Sequence, residues 1–273
     1  MNASASSVST HNTLWRALAL AASLYVAWTA ATYLLEGRLL TLLRPEDTAD
    51  RLTYAVVANL LIGTVGAVGV VRWLHGQGLL RLDAAGFRGW RHTLGSVAAG
   101  LVLGGIIYAV QPSPVWQPGL LLNGFAQVLV VSIAEVLVCW AVIATLSEQL
   151  LRRRFGSRVA YTGTALIASV LFGGYHLAHS PPFNTLDMVL LLTAVGLGTS
   201  VFFLKARSVY GTIAFHNMLG LYGVTQSLAT TAESLDAYES PQWPLLGMAA
   251  VALLLLVVLD TQWLRRTESA EAA

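Results

Sequence analysis

The sequence predicts an all-α, polytopic integral membrane protein of about eight transmembrane helices. Three observations carry this. Of 273 residues, 56% are hydrophobic and only 11% are charged, whereas a soluble domain typically carries about 25% charged residues. The mean hydropathy is +0.65. The apolar residues also gather into runs of roughly twenty, the length a helix needs to cross the hydrocarbon core. So little charge cannot cover a soluble surface, and the lipid bilayer is the expected partner. A formal net charge of +2 points to no nucleic-acid partner. Cys139 is the only cysteine, so no intrachain disulfide forms.

Residues 1–12, "MNASASSVSTHN", form a polar N-terminal tail. The apolar run after it is too long for a signal-peptide core and reads as a retained first span, 14–35. Further spans are predicted at 53–74, 93–110, 119–147, 159–178, 185–204, 209–229 and 243–260. The connections are short, so residues 13–264 form one transmembrane domain, followed by a C-terminal tail at 265–273. The second connection, "GLLRLDAAGFRGWR", mixes Leu, Phe and Trp with arginines. It reads either as an amphipathic helix lying in the interface or as an ordinary loop with a few anchors.

Basic residues mark the cytoplasmic side. Thirteen of the sixteen Lys and Arg residues fall at the two termini and in the second, fourth and sixth connections; Arg38, Arg44 and Arg51 fall on the opposite side. This places both termini in the cytoplasm, in the cell membrane, and the acidic loop with Glu233, Asp236 and Glu239 outside.

Three spans carry polar groups at membrane depth, where such groups face the bundle interior or a wet cavity. In the fourth, Glu135 is the only charged residue between Arg91 and Glu148. Asn123, Gln127, Glu135 and Cys139 share one face, because residues four apart lie one above the other. The stripe reads either as helix packing around a protonated acid or as a general base. In "FGGYHLAH", residues 172–179, Gly173 and Gly174 permit close helix approach. His176 lies in the span, and His179 precedes "SPP" as a solvated histidine at the helix end. In "AFHNMLG", residues 214–220, His216 and Asn217 read as site residues or as a pair joining helices. One carboxylate and two histidines suit hydrolysis. Either His176 and His216 hold zinc with Glu135 as base, or the reaction is metal-free with imidazole donors at the oxyanion. No H-E-x-x-H is present. At about 1.5 Å per residue, Glu135 lies about 18 Å, His176 about 26 Å and His216 about 10 Å from the cytoplasmic ends of their spans. They meet only if the fifth helix tilts or begins outside the bilayer.

These residues resemble the CAAX prenyl endopeptidase and bacteriocin-processing group of intramembrane proteases, the CPBP family. Its members carry E-E-x-x-x-R, F-x-x-x-H and H-x-x-x-N on successive helices. "EVLVCW" (135–140), followed by an arginine-rich turn, stands at the first motif. "FGGYH" (172–176) matches the second, and "HNMLG" (216–220) stands at the third. The similarity covers residues 119–222. Val136, Trp140 and Gly220 replace the second glutamate, the arginine and the asparagine. The resemblance implies that Glu135 and His176 activate water and that His216 binds metal or stabilises the oxyanion. Phe172 and His179 support them, and Asn217 substitutes for the lost amide. The implied function is endopeptidase cleavage near the membrane of a peptide or lipidated-protein substrate. The alternatives are a scaffold or binding protein that kept the fold and lost the chemistry, or a haem-binding or transport protein using His176 and His216.

Overall fold

The computed structural model describes residues 3–36, 48–112, 114–229 and 240–265, without the side chains of 3–12 and 227–229. The acidic loop with Glu233, Asp236 and Glu239, together with Arg38, Arg44 and Arg266, lies outside the described residues. Eight helices make up the described bundle, and no strand occurs among the described residues. They are α1 (Ala3–Leu35), α2 (Thr48–Gly76), α3 (Trp90–Val110), α4 (Pro118–Phe155), α5 (Ser157–Tyr175), α6 (Leu186–Ala206), α7 (Val209–Ala229) and α8 (Trp243–Leu264). The helix α1 starts at Ala3, so most of the polar stretch assigned to a separate tail continues the first helix.

Six of these are long and apolar enough to cross a membrane. The other two are α5, which leads to His176, and α7, which carries His216. Their polar residues and glycines lower their apolar content. The long α4 runs through the middle of the bundle, and every side chain from Ile133 to Leu146 is buried. Immediately after Glu135 its backbone widens into a π-helical stretch, Val136–Ala144. Such widening often accompanies functional sites.

Small residues set the helix spacing, as they do where lipid offers no hydrophobic drive to association. Along α3 and α7, a Cβ on Gly100 would sit 2.5 Å from the carbonyl oxygen of Gly211, and one on Gly104 would sit 2.5 Å from Met218 Cβ. Gly63 of α2 lies against Ala134 of α4, and Gly196 of α6 against Phe172 and Ser169 of α5. Of the paired glycines in α5, Gly173 is pressed against Thr193 of α6, whereas Gly174 faces open space. Close approach therefore uses only the first of the two.

The second connection is neither an interfacial helix nor a loose loop. Residues 77–89 form a series of turns whose Leu80, Leu82, Ala85 and Phe87 are buried in the main core. Gly86, at φ +92°, fits this packing because its missing Cβ would meet the backbone nitrogen of Val209 at 2.8 Å. The loop is tied to the α6–α7 turn by Val209 N–H donating to Gly86 O (2.9 Å). Arg207 ends α6 in the left-handed conformation and pairs with Glu148 of α4 at 2.5 Å. The second and sixth connections thus meet at one end of the bundle, where α4 projects past them.

Candidate active site

Two antiparallel hairpins bring the polar residues level. The first turns at Gly156, φ +79°. Glu135 stands twenty-one residues before that turn and His176 twenty after it. Arms of nearly equal length place the two side by side, with the fifth helix beginning at Ser157 among exposed residues. The depth mismatch disappears because both helices extend beyond the apolar runs. The second hairpin turns at Arg207, with Thr199 eight residues before and His216 nine after. Docked on Glu148 rather than on the end of α4, it carries His216 to the level of Glu135.

Glu135 lies between two imidazoles. Its Oε2 is 2.9 Å from His216 Nε2, and its Oε1 is 3.7 Å from His176 Nε2. All three side chains are buried. The Nδ1 of His176 lies 2.9 Å from the carbonyl oxygen of Phe172. A carbonyl only accepts, so Nδ1 carries the proton. The Nε2 of neutral His176 therefore turns a lone pair toward Glu135. The His216 ring is held from its other side by Thr199 Oγ1, 3.0 Å from Nδ1. Phe172 stands edge-on to both rings, with centroids 4.7 Å from His176 and 5.0 Å from His216.

A cavity of about 510 Å³ opens beside these groups. Its polar end holds Glu135, His176, His179 and His216, and the rest of its wall is mainly apolar, including Val128, Val131, Leu191, Leu192 and Val195. Trp140, at the motif's arginine position, is a buried wall behind the site. Its ring centroid is 5.3 Å from both His216 and Phe172, and its Nε1–H donates to Ser200 Oγ at 2.8 Å. Gly220 lines the cavity but lies against Val128, whose Cγ1 would be 2.7 Å from an added Cβ.

Three sequence expectations change. Asn217 does not reach the cavity. Its amide donates to Phe125 O (3.3 Å) and accepts from Ser132 Oγ (3.2 Å), joining α7 to α4. The polar stripe of α4 divides its work: Asn123 latches the start of α8 through Ser240 O (2.9 Å) and the Gln242 N–H (2.8 Å), and Gln127 accepts from Arg51. His179 is not a solvated helix-end residue; it is buried. A 3₁₀ turn, His176–Ala178, follows α5, and Pro181 and Pro182 bar further helix. Three residues per turn eclipses side chains at i and i+3, so the rings of His176 and His179 stack at 5.0 Å and 18°.

Glu36, at the end of α1, is the residue that sequence reasoning passed over. Its Oε2 is 3.2 Å from His179 Nδ1, without good hydrogen-bond alignment. It accepts from the Ser180 N–H (2.8 Å) and from Ser180 Oγ (2.5 Å). Burial acts to raise its pKa, but His179 and Ser180 outweigh it and hold Glu36 below the usual carboxylate range. The available signal was its position: it is the first acidic residue in the chain, directly after an apolar span.

Two imidazoles and a carboxylate are donor types that zinc accepts. Here Glu135 gives one oxygen to each histidine. No three His, Cys, Asp or Glu side chains among the described residues are grouped as a metal centre requires.

No curated protein and no solved structure matches the chain. A family model, described as type II CAAX prenyl endopeptidase Rce1-like, matches residues 116–222. That stretch contains all of α4, α5 and α6 and most of α7, and hence Glu135, His176 and His216. Over this core, less than half of the chain, the protein is similar to type II CAAX prenyl endopeptidases.

Proposed function

We propose that this chain is an intramembrane endopeptidase of the CAAX-processing type, with Glu135 as the base that activates water. The observation that carries the reading is the carboxylate between two imidazole Nε2 atoms at the polar end of a largely apolar cavity. A water on the cavity side of Glu135 Oε1 and His176 Nε2 donates to both acceptors. His216 secures the other carboxylate oxygen. As the water oxygen bonds to the peptide carbonyl carbon, one of its protons passes to Glu135 and the carbonyl π pair moves onto oxygen. The family points to a prenylated protein substrate, and the apolar wall offers room for a lipid chain. Both termini are placed in the cytoplasm by the distribution of basic residues.

The test is cleavage of a prenylated CAAX peptide by the full-length protein in detergent, followed by mass spectrometry. General base catalysis contributes about 10²–10⁴-fold, so Glu135→Gln should reduce cleavage by that factor while keeping the side chain's shape. Equal cleavage by wild type and variant would sink the assignment. The reaction as written uses no metal, so a chelator should leave the rate unchanged. Loss that zinc restores would instead give His176 and His216 a metal-binding role. A second reading, a binding protein that has lost its chemistry, draws on Val136, Trp140 and Gly220 at motif positions. It expects no cleavage by wild type.

A further inference from the structure

In the hydrolysis above the departing amine must receive a proton, and protonated Glu135, tied to His216, is one candidate donor. Resting on that reading, we propose that His179, supported by Glu36, is the general acid that delivers it. His179 lines the same cavity as Glu135 and is only 4% exposed. Its Nδ1 faces Glu36 at 3.2 Å, which leaves Nε2 as the nitrogen not turned toward Glu36. That Nε2 is buried with no hydrogen-bond partner, an arrangement that costs free energy unless something else meets it.

The support is rigid. Glu36 is fully buried, and both its oxygens are fixed by Ser180. A carboxylate beside Nδ1 favours the cationic form of an imidazole, which is the state that gives a proton from Nε2. The groups around His179 include Glu36 from α1, Tyr54 from α2 at 6.4 Å between centroids, Tyr175 and His176 from its own segment at 4.8 Å and 5.0 Å, Phe183 at 6.2 Å, and the charge of Glu135 from α4. Three nearby donors are committed. His216 Nε2 is on Glu135, His176 Nδ1–H is on Phe172, and Asn217 is on Phe125.

Two carboxylate–imidazole units thus stand side by side, joined by the stacked His176 and His179 rings. Glu135 takes a proton from water. When the tetrahedral intermediate collapses, the C–N bond breaks with its pair on nitrogen and the carbonyl reforms. The amine then takes the Nε2 proton of His179. The proton on Glu135 returns to His179 through cavity water, so the cycle closes with one water consumed. His179 touches the reacting nitrogen and is catalytic; Glu36 acts through it as a positioning residue.

The experiment compares two probes on the full-length protein. One is the prenylated CAAX peptide. The other is an aryl ester of the acyl fragment that wild type releases, whose phenolate leaves without needing a proton. His179→Gln should lower peptide cleavage about 10²-fold or more and ester cleavage by less than about tenfold. Retained ester cleavage also reports a folded site. Glu36→Gln keeps a partner for Ser180 and should show the same split with a smaller loss. Glu135→Gln should lower both reactions. If His179→Gln and Glu36→Gln leave peptide cleavage unchanged, or lower both probes equally, the general-acid role is overturned and the Glu135 reading stands. If wild type cleaves neither probe, the hydrolase reading itself fails and this one falls with it.

Discussion

The Nε2 atom of His216 stands 2.9 Å from Oε2 of Glu135, across the interface of α7 and α4. A contact that short between two acceptors requires a proton between them. The other nitrogen of the ring is 3.0 Å from Thr199 Oγ1. That hydroxyl also lies 3.0 Å from Val195 O, one turn back on α6, which anchors it. Thr199 thereby fixes which nitrogen of His216 meets the carboxylate. Thr199→Val keeps the volume and removes the oxygen. Losing one neutral hydrogen bond costs about 1 kcal/mol, and 1.36 kcal/mol is a factor of ten in rate. The variant should cleave the CAAX peptide about fivefold more slowly, and Thr199→Ser should retain most of the activity. Equal rates for all three would remove the orienting role.

The paired glycines of α5 should respond oppositely to the same change. A methyl at Gly173 collides with Thr193 of α6, whereas one at Gly174 meets nothing. Overpacking costs about 1–3 kcal/mol. Gly173→Ala should therefore lower the melting temperature in detergent and displace His176, three residues on, with loss of cleavage. Gly174→Ala should stay within about 0.5 kcal/mol of wild type. Matching melting curves would mean that α5 and α6 do not pack as described.

Restoring an amide at position 220 needs a second change. An added Cβ there would lie 2.7 Å from Val128 Cγ1, on a β-branched side chain that is stiff at χ1. Gly220→Asn alone should destabilise the protein by about 1–3 kcal/mol and slow cleavage. Val128→Ala combined with Gly220→Asn should recover stability and bring the new amide to the cavity wall. Full stability of the single variant would contradict the close contact of α4 and α7.

Topology is checked separately from chemistry. Reporter fusions after Arg154 and after Glu239 should signal opposite sides, the first cytoplasmic and the second external. Both on one side would overturn the orientation and the span count together.

Composition and run length determined the membrane class, because a chain with 11% charged residues cannot hydrate a soluble surface. Glu135, His176 and His216 stood out for a related reason: ionisable groups are costly in an apolar span, so each is conspicuous in the sequence. Motif spacing connected them to a family because order along the chain survives even where Val136, Trp140 and Gly220 depart from the pattern. Depth did not follow from the sequence. Counting from the ends of apolar runs put the three residues at different levels, since helices continue past their apolar stretches. The turns at Gly156 and Arg207, and the Arg207–Glu148 pair, decided the level. Direction did not follow either. Asn217 and His216 are neighbours, yet adjacent residues on a helix point about 100° apart, so one joins helices and the other meets Glu135. Only the tertiary structure brought Glu36 to His179, 143 residues away. A contact between the end of one helix and the turn after another depends on how the bundle packs, and no local pattern in either segment encodes it.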